Sequence, residues 1–378
     1  MGHTCDPAAE RVAGKLGFSC HGADPVVSFR NPFDLADGTM AVLELLIVGG
    51  AVFALVHAWR RWRRDGDPVN ISLWFASVVY LAVIEPPLYF PGWFGLQDHV
   101  GFIFSHNVFT VQFMYDRLPL YIVAFYPAIS QLAYELVRVL GVFARRGPLA
   151  GSVAVAFACQ VFYEVFDQLG PQLRWWAWNE ANEKINQPAL ASVPMNSMLL
   201  FASVSFGAMT YLVVRLAGGR DGRGALTGAR IGWRALVAGA VTPLAMIVVS
   251  APSGAFEGRL GVQRAILGAE LAAVWIAGLL LLADAWRAGR AGRAAGTAVP
   301  VVSPLFARTY PALYLGVHVA FWLIALPAYL ASSGGFTEQG TPIGSLWYAA
   351  LCSVAATGFI AAALRASVSR GTAEPVRS

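Results

Sequence analysis

Nine stretches of this chain stay apolar for roughly the 20 residues that a helix needs to cross a bilayer, and that feature narrows the possible folds more than any motif does. They cover 39–59, 71–90, 119–143, 149–169, 195–216, 235–252, 265–286, 310–330 and 346–364. In hydrocarbon every backbone N–H and C=O must find a partner within the protein, so only helices and closed barrels can span. The runs are continuous and lack the alternation of barrel strands. They predict an all-α, polytopic helical membrane bundle, with Pro86 and Pro87 breaking the second span. Composition agrees: 57% of the residues are hydrophobic and 13% charged, against the roughly 25% charged usual in a soluble domain.

The net charge of +5 does not mark a nucleic-acid partner, because of where the charge sits. Only Lys15 and Lys184 among 27 basic residues are lysines, and most arginines cluster beside apolar runs, as in RRWRR after Trp59 and the Arg145–Arg146 pair. Arginines in short loops mark the cytoplasmic side. They place the N-terminus outside and the C-terminus in the cytoplasm, and an odd number of spans agrees with that. Three regions follow: an extracytoplasmic segment 1–38, a transmembrane domain 39–366 and a disordered cytoplasmic tail 367–378. Segment 1–38 has no apolar signal-peptide core. Its Cys5 and Cys20, on the oxidising side, are candidates for a disulfide, whereas Cys159 and Cys352 fall within spans, where a thiol packs as a small apolar group. The chain reads as a multi-pass protein of the cell membrane, surrounded by its lipids.

An ionised carboxylate in hydrocarbon costs several kcal/mol, so each acidic residue within a span needs a partner, water or a cavity. Glu135 and Asp284 have arginines three residues on, Arg138 and Arg287, which fits ion pairs at the cytoplasmic ends. Glu44, Glu85, Glu164, Asp167 and Glu270 all fall in the outer half of their helices, on the side of Asp98, His99, His106, Asp116 and Arg117. Rim solvation or helix locking explains any one of them; together they point to a cavity at that end.

The stretch 157–196 concentrates this chemistry. Gln160, Glu164, Asp167 and Gln168 recur at helical spacing on FACQVFYEVFDQLG, and Trp175, Trp176, Trp178, Asn179 and then Asn196 follow. Burial among aromatic rings favours the protonated form of a carboxyl group. A held proton can be passed to an alkene, an enol or a leaving hydroxyl while a second carboxylate or an amide manages the proton or the cation, and aromatic faces suit a developing carbocation. An interfacial aromatic belt accounts for the tryptophans equally well. The catalytic candidates are Glu164 as the acid, Asp167 as its proton partner, Glu85 as a second acid or base, and Asn196 as the group that orients substrate or water. The candidate substrate contacts are Trp175, Trp176, Trp178, Asn179, Asp116, Arg117 and Tyr163.

Other polar positions carry less. Ser203 and Thr210 follow Asn196 at seven-residue steps, as interhelical hydrogen-bonding groups do. His318, on a stripe with Tyr310 and Tyr314, reads as a neutral, hydrogen-bonded core histidine. His99 and His106 match no metal-ligand spacing, and the chain has no GxSxG, P-loop, dinucleotide fingerprint or CxxC. No metal and no cofactor are expected.

The order VIEPPLYF, YDRLPLYIVAFYP, YEVFDQLG, WWAW and VPMNS between Tyr80 and Leu216 resembles several membrane-enzyme families. It is similar to the carotenoid hydratase and related carotenoid-biosynthesis membrane proteins and to the avermectin-type spirocyclase family. The sterol isomerases and membrane terpene cyclases share a looser version. The resemblance implies acid–base chemistry without a redox cofactor on a lipophilic small molecule: cyclisation, isomerisation, hydration or dehydration of an isoprenoid or polyketide-like substrate. Carried over, it points to Glu85, Glu164, Trp176 and Asn196, with Asp116 and Arg117 beside them. The same carboxylates would also suit a proton- or cation-coupled transporter, although no pair of Gly/Pro-broken segments marks an inverted repeat. A binding or assembly protein, its polar residues only joining helices, is the third class.

Overall fold

The computed structural model describes residues 4–31, 33–218, 227–294 and 303–366. Among the described residues, nine helices are long and apolar enough to cross a membrane. A short helix, α1 (Pro7–Lys15), precedes them. The spans are α2 (Thr39–Asp65), α3 (Val69–Tyr89), α4 (Leu120–Val139) and α5 (Val142–Asp167). After a four-residue turn of helix, α6 (Glu183–Asn186), come α7 (Ser197–Ala217), α8 (Gly228–Gly254), α9 (Leu260–Ala294), α10 (Leu305–Leu330) and α11 (Leu346–Ala366). Each span expected from the sequence is present, and the tail 367–378 lies outside the described residues.

Local sequence explains most departures. Pro86 and Pro87 do not break α3, which runs on to Tyr89. They sit in its last turn, where the missing N–H groups leave only the carbonyls of Ala82 and Val83 without their helical donors. In α5 the chain turns at Gly147, whose φ of 82° is open to glycine, and Pro148 restarts the helix beyond it. The first eight residues of α7, Ser197–Val204, are wound as π-helix, a winding that sequence pattern does not reveal.

The least apolar spans lie innermost. Of the most apolar window of α4, 89% is buried, against 17% for α9, so α4 and α5 form the centre while α8 to α11 present leucine and valine outward. Polar groups are tolerated at the centre because they satisfy one another. Glu135, fully enclosed, takes two bonds from Arg138 at 2.9 and 2.7 Å and one from Asn70 Nδ2 at 2.8 Å, with His57 at 3.3 Å. That pair is as expected, in the last turn of α4, but enclosed by protein rather than reaching out from it. Asp284 departs from expectation: it pairs with Arg146 on the neighbouring α5 at 2.6 Å, not with Arg287 on its own helix.

The α3–α4 and α5–α7 connections leave the bundle at one end and are stitched there into a cap. Strand β1 (Val27–Phe29) pairs with β3 (Val111–Phe113), which pairs with β4 (Leu118–Pro119). A second antiparallel pair joins β2 (Phe104–His106) to β5 (Trp176–Trp178), setting His106 opposite Trp176 and Phe104 opposite Trp178. The third joins β6 (Ala189–Leu190) to β7 (Val193–Pro194). Three asparagines fasten the cap through backbone carbonyls: Asn179 to Phe102, Asn182 to Val100 and Phe102, and Asn186 to Ile103 and Asn179. Cys5 and Cys20 are joined in a disulfide, and Cys159 and Cys352 are free and buried.

Candidate functional site

Beneath the cap lies a cavity of about 340 Å³, within the range of small-molecule sites. Its walls are mainly Ile122, Phe125, Phe166, Trp176, Leu200 and Phe201, and its inner polar lining is Glu85, Tyr126, Tyr163, Asp167, Asn196 and Ser197, with His106 on the cap side. Glu85 comes from the end of α3 and Asp167 from the end of α5, so helices far apart in the chain bring two carboxyl groups to one space.

Each of these carboxyl groups has a hydroxyl partner. Tyr126 Oη on α4 donates to Glu85 Oε1 at 2.5 Å, and Tyr89, one turn beyond Glu85, flanks the same group. Ser197 Oγ donates to Asp167 Oδ2 at 3.2 Å. Ser197 is the first residue of the π-helical turn and follows Asn196, so the irregular start of α7 presents two polar side chains to the cavity. Tyr163, edge-on to Phe125 at 5.0 Å, lies within electrostatic reach of both Glu85 and Asp167.

The structure separates residues that the sequence grouped. Glu164, one helical turn before Asp167, does not line this cavity. At 100° per residue the two side chains stand about 60° apart around the helix, and here Glu164 meets α11 while Asp167 meets the cavity. Glu164 is fully buried on the α11 side, where Gln168 Nε2 donates to its Oε2 at 2.9 Å; Gln168 accepts from the Ser345 backbone, and Gln160 bonds Tyr348. Trp176, Trp178, Tyr163 and Asn196 line the cavity, and Trp175 does not: it is buried, with its indole N–H on Thr39 Oγ1 at 2.8 Å. Asn179 serves the cap.

Asp116 and Arg117 likewise lie away from the cavity. Met114, Tyr115 and Asp116 are consecutive residues with φ between 56° and 59°, a left-handed turn linking β3 to β4. Asp116 accepts from the Ser28 hydroxyl, and Arg117 reaches the Thr4 carbonyl at 2.9 Å and stacks over Phe102 at 5.2 Å. These two residues dock the N-terminal segment on the bundle. Ser203 and Thr210 do not make the interhelical bonds expected of them; among the described residues both hydroxyls are buried without a partner. His318 is buried with Nδ1 donating to the Tyr314 carbonyl at 2.8 Å, the core role expected.

From the sequence, His106 is one of the polar residues at the cavity end of the bundle and a weighed metal ligand, with no further role assigned. It lines the cavity, ringed by Tyr89, Phe104, Tyr121 and Trp176, and its Nδ1 lies 3.5 Å from Tyr121 Oη. Burial pushes the imidazole down to about 3, so it is neutral near pH 7 and acts as a hydrogen-bonding group, not a cation. Tyr126 and Ser197 were missed, since a lone tyrosine or serine in a span gives no signal until its partner is known. The described residues close enough together to share a metal are Cys5, Glu10 and Cys20, and the two sulfurs are spent in the disulfide.

At the rim, Lys184 of α6 and Glu257, between α8 and α9, pair at 3.0 Å, and both line the cavity. A second compartment, of about 840 Å³, lies between the cap, α1 and the loop before α11; it is lined by Lys15, Arg174, Glu180, Gln187 and Gln339 among others. Trp176, Trp178, Asn186 and Pro194 border both spaces. Compared with family models, with curated proteins and with solved structures, the chain matches no family, no protein and no structure.

Proposed function

We propose that this multi-pass membrane protein is an enzyme that rearranges a lipophilic small molecule, isoprenoid or polyketide-like, by protonation and deprotonation. One observation carries the reading: a cavity with aromatic and aliphatic walls receives two carboxyl groups from separate helices, each already hydrogen-bonded to a hydroxyl. In this reading Glu85 gives its proton to an alkene, an enol or a leaving hydroxyl. Asp167 takes a proton from the carbon beside the resulting cation, or from a water that adds to it. Trp176, Phe166 and Tyr163 face the positive charge in between, and Asn196 orients the substrate or water. Glu164 acts through Asp167, as a positioning group one turn behind it. The likeness of the segments around Glu85, Glu164, Trp176 and Asn196 to carotenoid hydratases and avermectin-type spirocyclases supports the same class of chemistry. The arginine distribution supports an outward N-terminus in the cell membrane, which puts the cavity in the outer half of the bilayer.

The test is mass spectrometry of lipid extracts from cells carrying the wild type, the Asp167→Asn variant or no copy. A species made only with the wild type, differing from its precursor by one water or by no mass, supports the reading and separates hydration and dehydration from cyclisation and isomerisation. Three identical extracts, with folded protein and precursor present, would turn the reading to proton-coupled transport.

A further inference from the structure

The partition between the two compartments contains polar atoms with nothing to bind. Asn186 is 6% exposed, and its Nδ2 donates to two backbone carbonyls, Ile103 at 3.1 Å and Asn179 at 3.0 Å. Carbonyls only accept, so the amide has one allowed orientation, with Oδ1 turned away from them. Among the described residues that Oδ1 is buried without a partner, and so is the indole N–H of Trp178. The two residues are neighbours in the cap: Trp178 stands opposite Phe104 in the strand pair, and Asn186 holds the carbonyl of Ile103, the residue before it. An acceptor and a donor thus sit unsatisfied on a wall that the aromatic cavity and the polar compartment share. A buried polar atom left unpaired is costly, and native interiors pair nearly all of them.

We propose that this partition recognises a hydroxyl group of the substrate, which is an amphiphilic alcohol whose apolar chain fills the aromatic cavity and whose oxygenated end extends toward the polar compartment. A hydroxyl accepts from the Trp178 N–H and donates to Asn186 Oδ1 at once. A hydrocarbon satisfies neither atom, a ketone satisfies only the donor, and a carboxylate satisfies the donor while being repelled by the amide oxygen. Both atoms are covered in this structure, so the hydroxyl reaches them as the half-buried Trp178 ring turns and joins the two spaces.

The inference rests on the cavity being where the lipophile reacts, and its test reads binding, not turnover, so that the two fail separately. Full-length protein in nanodiscs is titrated with farnesol, with farnesene and with farnesoic acid, using the wild type and Trp178→Phe. The phenyl ring removes a donor that has no partner among the described residues, so the substitution breaks no existing bond. Farnesol should bind the wild type roughly tenfold more tightly than farnesene, in proportion to the net value of one to two hydrogen bonds. Trp178→Phe should reduce that preference several-fold, read as the ratio of the two affinities within the variant because the smaller ring also trims the cavity wall, with thermal unfolding of the same sample reporting the fold. Equal binding of alcohol and hydrocarbon, tighter binding of the acid than of the alcohol, no binding of any probe, or an undiminished preference in Trp178→Phe overturns the inference.

Discussion

Tyr126 on α4 donates its hydroxyl to Glu85 on α3 across 2.5 Å, inside the membrane domain and at the wall of an aromatic cavity. The bond fixes one carboxyl oxygen and commits the group's approach to the cavity. Glu85→Gln, which keeps the shape and removes the acid, should lower turnover by roughly a hundredfold or more. Tyr126→Phe, which frees the carboxyl group to turn, should lower it by roughly tenfold. Product formation per folded protein checks both.

Asp167 and Glu164 are one turn apart and face different spaces. Asp167→Asn should abolish most turnover, and Glu164→Gln should cost less than a tenth of that loss, because only Asp167 meets the cavity. Equal losses in the two variants, each eluting as folded protein, would put Glu164 in direct contact with substrate.

His106 makes stability depend on pH with a definite sign. Its folded value is pushed from 6.5 to about 3 by burial, so between these limits the unfolded chain binds a proton that the folded one refuses. Stability is therefore full above about pH 6.5 and declines as pH falls toward 3, by up to about 1.4 kcal/mol per unit. Thermal unfolding at pH 7 and pH 5 should show a larger drop for the wild type than for His106→Gln.

At the other end of the bundle, Arg138→Met should destabilise the protein by about 3–5 kcal/mol, since it leaves the enclosed Glu135 carboxylate without its cation. Ligand binding in the protein that remains folded should be unchanged. Denaturant titration and probe binding on the same sample separate the two effects.

Gly170 follows α5 where the Trp176 ring covers its Cα, and a Cβ there would enter the ring. Gly170→Ala should cost about 1–3 kcal/mol of stability and push Trp176 into the cavity it lines, raising the apparent Michaelis constant more than it changes the maximal rate.

The spans could be read from the sequence because the requirement behind them is local: a helix in lipid satisfies its own backbone, and about 20 apolar residues declare it. The same holds for the buried thiols and for the Glu135–Arg138 pair, where three residues along a helix bring the groups together. Asp284 shows where that reasoning stops. Arg287 is near it in sequence, yet the bond goes to Arg146, because helix packing decides which arginine is near in space.

The site divides along the same line. Glu85, Asp167, Trp176, Trp178, Tyr163 and Asn196 were legible as chemistry-bearing residues at one end of the bundle, and they do line one cavity. Glu164, Trp175, Asn179, Asp116 and Arg117 carry the same residue types but are turned elsewhere by helix phase, by the β2–β5 register and by the left-handed turn at Met114 to Asp116. Tyr126 and Ser197 became visible only once α3, α4, α5 and α7 were packed together, and of the residues at that end His106 proved to line the cavity while Asp116 and Arg117 did not. The sequence by itself determined a helical membrane bundle and the end where its polar groups collect, because hydrophobic length and charge placement act residue by residue. Only the tertiary structure decided which of those groups share a cavity, because that depends on the rotation of each helix against its neighbours, and a turn of 100° per residue carries adjacent side chains into different surroundings.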